Sequence, residues 1–297
     1  MQMSNTYRAM AFPLAATIAT SIALVVLTTV LSSPNLLAQS DCVCIGISPV
    51  DLARKVVTNE LRVQNEEQSH WMYRLEKAES GRKQIQKILE TKNGSLSQLL
   101  SIDGHPLDAQ QRRKENQRIQ RLVSHTDEQR TLQQASNKKA EQGARLFRIL
   151  PDVFVFSYAS RHGDLVTLNF TPNPTFQPPS LEARVLHGME GEMTVDTKQE
   201  RLVALNGHLI EDVKFGAGVL GHLDRRGKFE VRQTEVAPGH WEMTALNVDM
   251  KGRALLFKTI SVQETECHSD FHRVPDDLTL EEAADILGRQ TVIADNR

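Results

Sequence analysis

Aromatic residues are scarce. Ten Phe, three Tyr and two Trp make up 5% of 297 residues. Single-stranded nucleic acid is commonly held by stacking bases on aromatic faces, so no nucleic-acid partner is expected. An excess of charge of either sign is also missing. The formal net charge is −2, so overall charge names no partner. Cysteine is nearly absent, with only Cys42, Cys44 and Cys267. At most one disulfide can form, which leaves an odd thiol. Cys42 and Cys44 are too close together for an easy bridge, so Cys267 is the partner of one or the other. Lipidation at Cys42 calls for a small residue just before it, and Asp41 stands there. A metal site would need a second ligand pair of matching spacing.

Recognisable chemical motifs are lacking too. There is no Gly-x-Ser-x-Gly elbow, and the glycines between Gly216 and Gly221 are not followed by the Lys-Ser/Thr of a phosphate-binding loop. Six of the ten histidines, His187, His208, His222, His240, His268 and His272, fall from residue 187 onward, in the carboxy-terminal meander or at its edge. His268 and His272 are four apart, a metal-binding spacing on a helix. Their segment reads as a strand end, where that spacing separates them by about 13 Å. No catalytic residue, metal or cofactor is expected, and a hydrolase built on these histidines is the weakest reading.

Long hydrophobic runs are limited to one. Arg8 precedes an apolar stretch from Ala11 to Leu31, followed by Ser32-Ser33-Pro34 and Leu36-Leu37-Ala38-Gln39. This is the layout of a secretory signal, with cleavage expected after Ala38. The run is also long enough, at about 20 residues, to stay as an uncleaved inner-membrane anchor. Residues 1–38 are therefore expected to export the chain, to the periplasm or beyond, and 39–49 to act as a linker.

The remainder reads as strands with helices at its ends and one helical interruption. Ser48-Pro49 offers a cap and start for a helix over Asp51–Val63, with Leu52, Val56, Val57 and Leu61 on one stripe. From His70 to Glu79, Trp71, Tyr73 and Leu75 alternate with Met72, Arg74 and Glu76, which is strand periodicity. Ser80-Gly81, Asn93-Gly94 and Asp103-Gly104 then punctuate two further strands as hairpin turns. Residues 108–149 have no turn dipeptide and carry ten Lys/Arg against five Asp/Glu. They read as two helices, or one bent one, broken near Ser124–Asp127. This basic insertion is either a solvated face or a dock for an acidic envelope partner.

Phe154, Phe156 and Tyr158 lead through Arg161-His162-Gly163-Asp164 into Val166, Leu168 and Phe170, a hairpin. Leu181–His187 reads as a short helix. A meander follows from Met193, with turns expected at Asp196–Gln199, Asn206-Gly207, Asp224–Gly227, Pro238-Gly239 and Lys251-Gly252. The apolar phase slips between Trp241/Met243 and Leu246/Val248/Met250, which predicts a bulge. A last helix is expected over Leu278–Leu287, with Thr279 and Glu282 as a capping box. The fold class expected is α+β. The sheet is a strongly curved antiparallel half-barrel of about ten strands, with helices on its concave side.

Two segments carry a family resemblance. Met193-Thr194-Val195-Asp196 … Glu200-Arg201-Leu202 forms a strand, Val-Asp, turn, Arg-Leu hairpin, and the run LNGHLIEDVKFGAGVLGHLDRRGKFEVRQTEVAPGHWEM continues it. With the order of elements over residues 50–275, these resemble the LolA/LolB-like half-barrel superfamily of periplasmic proteins, including exported proteins labelled outer-membrane lipoprotein-sorting proteins. The shared motifs are structural turns. The resemblance implies a lipid or lipoprotein acyl chain held in the half-barrel hollow, by a carrier or sensor without catalysis. Residues placed to line such a hollow are Trp71, Tyr73, Leu75, Phe154, Phe156, Leu168, Phe170, Phe215, Phe229 and Trp241. The alternative is an envelope interaction protein whose core is filled by its own helices. Residues 276–297 form a carboxy-terminal helix and tail outside the half-barrel.

Overall fold

The computed structural model describes residues 46–215, 221–254 and 258–295. The expected export signal, Cys42 and Cys44, and the loop around Gly216 and Gly218 lie outside the described residues. Among those described, no helix is long and apolar enough to cross a membrane.

The chain opens with α1 (Pro49–Glu66). The Ser48 side chain caps it by accepting the Asp51 N–H at 3.2 Å, and Pro49 sits in the first turn, where a missing N–H costs nothing. Three antiparallel strands follow: β1 (His70–Glu79), β2 (Arg82–Thr91) and β3 (Gly94–Ile102), with a two-residue β4 (His105–Pro106). Ser80 and Gly81, and again Asp103 and Gly104, have positive φ, as tight primed hairpin turns require.

The insertion forms two helices, α2 (Ala109–Ser124) and α3 (Thr126–Val153). Asp108 and Gln111 build a reciprocal capping box at the start of α2. The hairpin β5 (Phe154–His162) and β6 (Leu165–Pro172), the short α4 (Leu181–His187), and strands β7 (Met189–Asp196) and β8 (Arg201–Leu209) come next. After β9 (Val213–Phe215) and β10 (Gly221–Leu223), long strands β11 (Lys228–Ala237), β12 (His240–Ala254) and β13 (Lys258–Val274) lead to α5 (Leu280–Asp295).

All strands join one curved, open sheet in the order β4-β3-β2-β1-β13-β12-β11-β8-β7-β6-β5, with β9 and β10 branching from β12. The architecture is the expected α+β class. The phase slip in β12 is a bulge, because Arg232 pairs with Ala245 whereas Gln233 pairs with Met243.

Two expected turns are strand instead. Asn206-Gly207 lies inside β8, and Lys251-Gly252 lies inside β12. In both, glycine serves close approach. Gly207 pairs with Gly191, and a Cβ on Gly191 would fall 2.0 Å from the Asn206 carbonyl oxygen. A Cβ on Gly252 would fall 2.3 Å from the His222 carbonyl oxygen on β10.

The helices divide between the two faces of the sheet, which corrects the expectation of one helix-covered side. Leu52, Val56 and Val57 of α1, Phe147 and Leu150 of α3, and Val185 and Leu186 of α4 share a core with β5–β8, β11 and β12. Leu89 of β2, Leu96 of β3, Ile119 of α2 and Leu287 of α5 form a second core, with Met72 and Val274 packed against it. Strand register places these cores on opposite faces. Lys77 of β1 pairs with Glu266, which pairs with Leu246 of the first core. Met72, of opposite parity on β1, pairs with Leu89 of the second. The helix pair α2–α3 therefore passes from one face to the other around the end of the β2–β3 hairpin. There a Cβ on Gly94 would meet Gln133 Oε1 at 2.5 Å. The amphipathic stripe of a helix says that it is covered, not which face of a sheet covers it.

Candidate functional site

The first core is closed. Phe154, Leu168, Phe170 and Phe229 are buried in it, and Phe156 packs with them. Phe154 and Phe170 lie 4.5 Å apart between ring centroids. Phe215 lies against the same cluster, half-buried. These six residues do not line a hollow, because α1, α3 and α4 fill the space in front of them. Leu75 is half-buried on β1, and Trp71 is buried behind the surface.

Of the ten residues expected to line a hollow, Tyr73 and Trp241 reach an open cavity. It lies where α1 ends, on the same sheet face, and has a volume of about 200 Å³. Its walls come from α1 (Glu60, Val63, Gln64), the following link (Glu67, Gln68, Ser69), β1 (His70, Tyr73) and the end of the β2–β3 hairpin (Glu90, Thr91, Gly94, Ser95). Gln133 and Ser136 of α3, Arg201 of β8, Trp241, Glu242 and Met243 of β12, and His268 and Phe271 of β13 complete it.

The floor is a buried ion pair. Glu60 continues the apolar stripe of α1 one turn on and is buried. It takes Arg201 through both oxygens, at 2.8 Å from Nε and 3.2 Å from Nη2, and also accepts the Leu202 N–H at 2.8 Å. A buried pair holds only when its remaining valences are met, and the Leu202 amide meets one of them. The Arg201 guanidinium lies over the Trp241 ring, 5.7 Å from its centroid, while Trp241 Nε1 donates to Gln199 Oε1 at 3.0 Å.

One wall is a row of rings. His268 stacks on Tyr73, Tyr73 stacks on Phe271, and both centroid separations are 5.2 Å. Phe271 meets Trp71 edge-on, and Trp71 meets His240 edge-on. A bulge in β13 makes this possible. Met72 pairs with His272 but Arg74 pairs with Ser269, and Asp270 takes positive φ. The extra residue brings His268 and Phe271, three apart, to one face, and sends His272 to the other beside Met72. The two histidines considered as metal ligands thus lie on opposite faces of the sheet. Among the described residues, no three His, Cys, Asp or Glu side chains converge for a metal.

Trp71 and Trp241, each preceded by a histidine in the sequence, take different roles here. Trp71 donates its indole N–H to Ser69 Oγ at 3.1 Å and its ring packs on His240; Trp241 faces the cavity. His240 Nδ1 lies 3.0 Å from Glu67 Oε2. Burial pushes the Glu67 carboxyl up. The Ser69 amide and hydroxyl, together with His240, outweigh burial and bring it down to about 2.

Beyond His268 the same face carries Glu266, 3.2 Å from His268 Nε2, and Lys77, which binds both Glu264 and Glu266. Burial pulls the Lys77 ammonium down, but these two carboxylates outweigh it and raise it above the ordinary lysine range. Burial raises Glu264, whose Oε2 is buried without a hydrogen bond.

The charged cavity residues missed in the sequence are Glu60, Glu67, Glu90, Glu242 and Arg201. A buried charge on the apolar stripe of a predicted helix, Glu60 after Val56 and Val57, was the one signal that could have pointed there.

The basic insertion is an integral part of the fold. Phe147 enters the first core, next to Leu150 and Val153 farther along α3, and Ile119 enters the second. Arg118, Arg121, Arg130 and Arg145 are paired with Glu115, Glu128, Asp127 and Glu141. Removing residues 108–149 would open both cores rather than leave folding intact.

No protein-family model matches the chain, and no curated protein matches it. Among solved structures it is similar to the crystal structure of a DUF1329 family protein from Desulfovibrio piger ATCC 29098. The match covers 76% of this chain and 93% of that one, at 12% sequence identity and a TM-score of 0.27. At that level the likeness assigns no family, and the description of the fold rests on the sheet order of this chain.

Proposed function

We propose that this is an exported, non-catalytic binding protein whose site is the cavity at the end of α1, and that its ligand is small and polar. One observation carries this reading. The space where a half-barrel carrier would hold an acyl chain is filled by Phe154, Leu168, Phe170 and Phe229, whereas the cavity at the end of α1 sets Glu, Gln, Ser and Thr side chains among Tyr73, Trp241, Met243 and Phe271. An acyl chain gains about 0.8 kcal/mol per methylene buried against apolar surface. The polar part of these walls would offset that gain, because its groups would lose water without gaining partners. The LolA/LolB-like resemblance supports export and a carrier or sensor role, with the cargo changed. Binding sites of this kind are concave and set a few convergent polar groups against aromatic walls, as Tyr73, Trp241 and Phe271 do here.

Native mass spectrometry of the protein purified from the envelope tests the reading. A bound small polar molecule, lost in a Ser136→Trp variant that fills the cavity, is the expected result. Co-purified phospholipid or fatty acid, retained in that variant, would overturn it in favour of an acyl carrier.

A further inference from the structure

We infer that β5 is a self-association edge: two copies of this chain pair their β5 strands antiparallel about a two-fold axis and join their sheets into one, whatever the cavity binds.

The two ends of the sheet differ. At one end the outer side of β3 is closed. β4 pairs with its last residues, and side chains of α2 take up the backbone before them. Glu115 Oε1 accepts the Leu99 N–H at 2.8 Å, and Arg118 donates to the Ser97 carbonyl. Covering an edge in this way is protective, because free N–H and C=O groups are a template for another strand. At the other end, β5 pairs with β6 alone.

Strand register identifies the free groups. The Asn173 N–H donates to the Val153 carbonyl at 2.9 Å, and Val155 and Ser157 lie opposite Thr171 and Asn169 in the same phase. Opposed residues on antiparallel strands alternate between bonded and unbonded pairs. Val155 and Ser157 therefore turn their backbone groups to β6, while Phe154, Phe156 and Tyr158 turn theirs outward. Pro172, which has no N–H to give, accordingly stands opposite Phe154. The Phe154 N–H is used by the Leu150 carbonyl at the end of α3. Among the described residues, nothing is bonded to the Phe154 carbonyl or to the backbone N–H and C=O of Phe156 and Tyr158.

A second copy of the same strand fits these groups. With the axis at Phe156, that residue exchanges both bonds with the partner's Phe156. The Tyr158 N–H meets the partner's Phe154 carbonyl, the one group of Phe154 left free. This pairing stays within the regular stretch ahead of the bulge between Tyr158 and Ser160. Val155, 52% exposed, gains cover beside the partner's Ser157. The basic end of the strand, Arg161 and His162, approaches the partner's Asp152; in this chain Asp152 is exposed and faces Arg54. Parallel pairing would instead set Arg161 beside the partner's Arg161, and like charges placed opposite are destabilising. Assembly also stops at two copies, because a two-fold contact is closed and the edges left over are those that β4 and α2 cover.

A contact limited to one strand is smaller than the standard interface of about 1,600 Å², so the dimer should dissociate on dilution. Sedimentation velocity over a range of protein concentrations, with hydrogen exchange of the wild type at the two extremes, tests this. A reversible dimer is expected. Val155→Lys sets two lysines diagonally across the axis and should weaken it at least roughly tenfold. The Phe156 and Tyr158 amides should exchange faster on dilution, while the Leu99 amide, held by Glu115, should not change. Should Val155→Lys fail to fold, the wild-type exchange decides. A monomer at every concentration overturns the inference. So does a dimer whose Phe156 and Tyr158 amides exchange alike at both concentrations, because the contact then lies on another face or the chain covers β5 itself.

Discussion

The two cores of this protein differ in kind. The first joins α1, α3 and α4 to strands from β5 across to β12 and includes fully buried Leu168, Met189, Met193 and Leu202. The second is smaller, with α5 and part of α2 laid on β1–β3. Polar groups enter it: Gln98 is buried and reaches the Leu287 carbonyl at the limit of hydrogen bonding, 3.4 Å. A large contiguous core makes its elements fold as one unit, whereas a small satellite under a terminal helix can open by itself. The candidate site sits where the first core runs out, on the stretch of β1 whose other face belongs to the second. A site at such a junction can respond to either core, whereas one buried in the first could open only with the whole fold.

The largest expected effect breaks the first core. Phe170→Ala removes a ring wedged against Phe154 and Phe156 and should cost about 3–5 kcal/mol. Denaturant unfolding should shift as a single transition. Loss of protection in β5–β8 in two separate steps would show that the first core is not one unit.

Leu287→Ala in the second core should cost less, about 2–3 kcal/mol, and act locally. Hydrogen exchange should speed up in α5 and β3 while β7 and β8 stay protected. Equal acceleration in all four would abolish the distinction between the cores.

The smallest effect concerns the junction. Glu67 is held at about 2, below its ordinary 4.5. A depressed carboxylate stabilises the fold fully above its unfolded value and loses that contribution as pH falls through its folded value. Wild type should therefore exceed Glu67→Gln in thermal stability at pH 6, and the gap should close between about pH 4.5 and 2. A gap that stays constant through this window would separate the Glu67–Ser69–His240 contacts from stability.

Much of the scaffold was legible. Period-two alternation located β1, β5 and β6; Ser48 and Thr279 marked helix starts through local hydrogen bonds; and the slipped apolar phase located the β12 bulge. The misreadings share a cause. Asn206-Gly207 and Lys251-Gly252 have turn composition, but the glycines answer to strands distant in sequence, Gly191 on β7 and His222 on β10. The site was legible only in Tyr73 and Trp241, because an apolar residue on the correct face of a strand looks the same whether a helix or a ligand covers it. Phe170 and Tyr73 illustrate the point: both alternate properly, and α1, α3 and α4 close over the first but stop short of the second.

The sequence by itself determined the α+β class, most strand limits, the caps and the face of each element that is apolar, since these follow from backbone periodicity and contacts a few residues long. Tertiary structure alone decided the division of helices between two faces, the separation of His268 from His272 by a bulge, and the meeting of Glu60, Glu67, Glu90 and Glu242 around one cavity. These depend on register between strands far apart in the chain, where a shift of one residue turns a side chain to the opposite face.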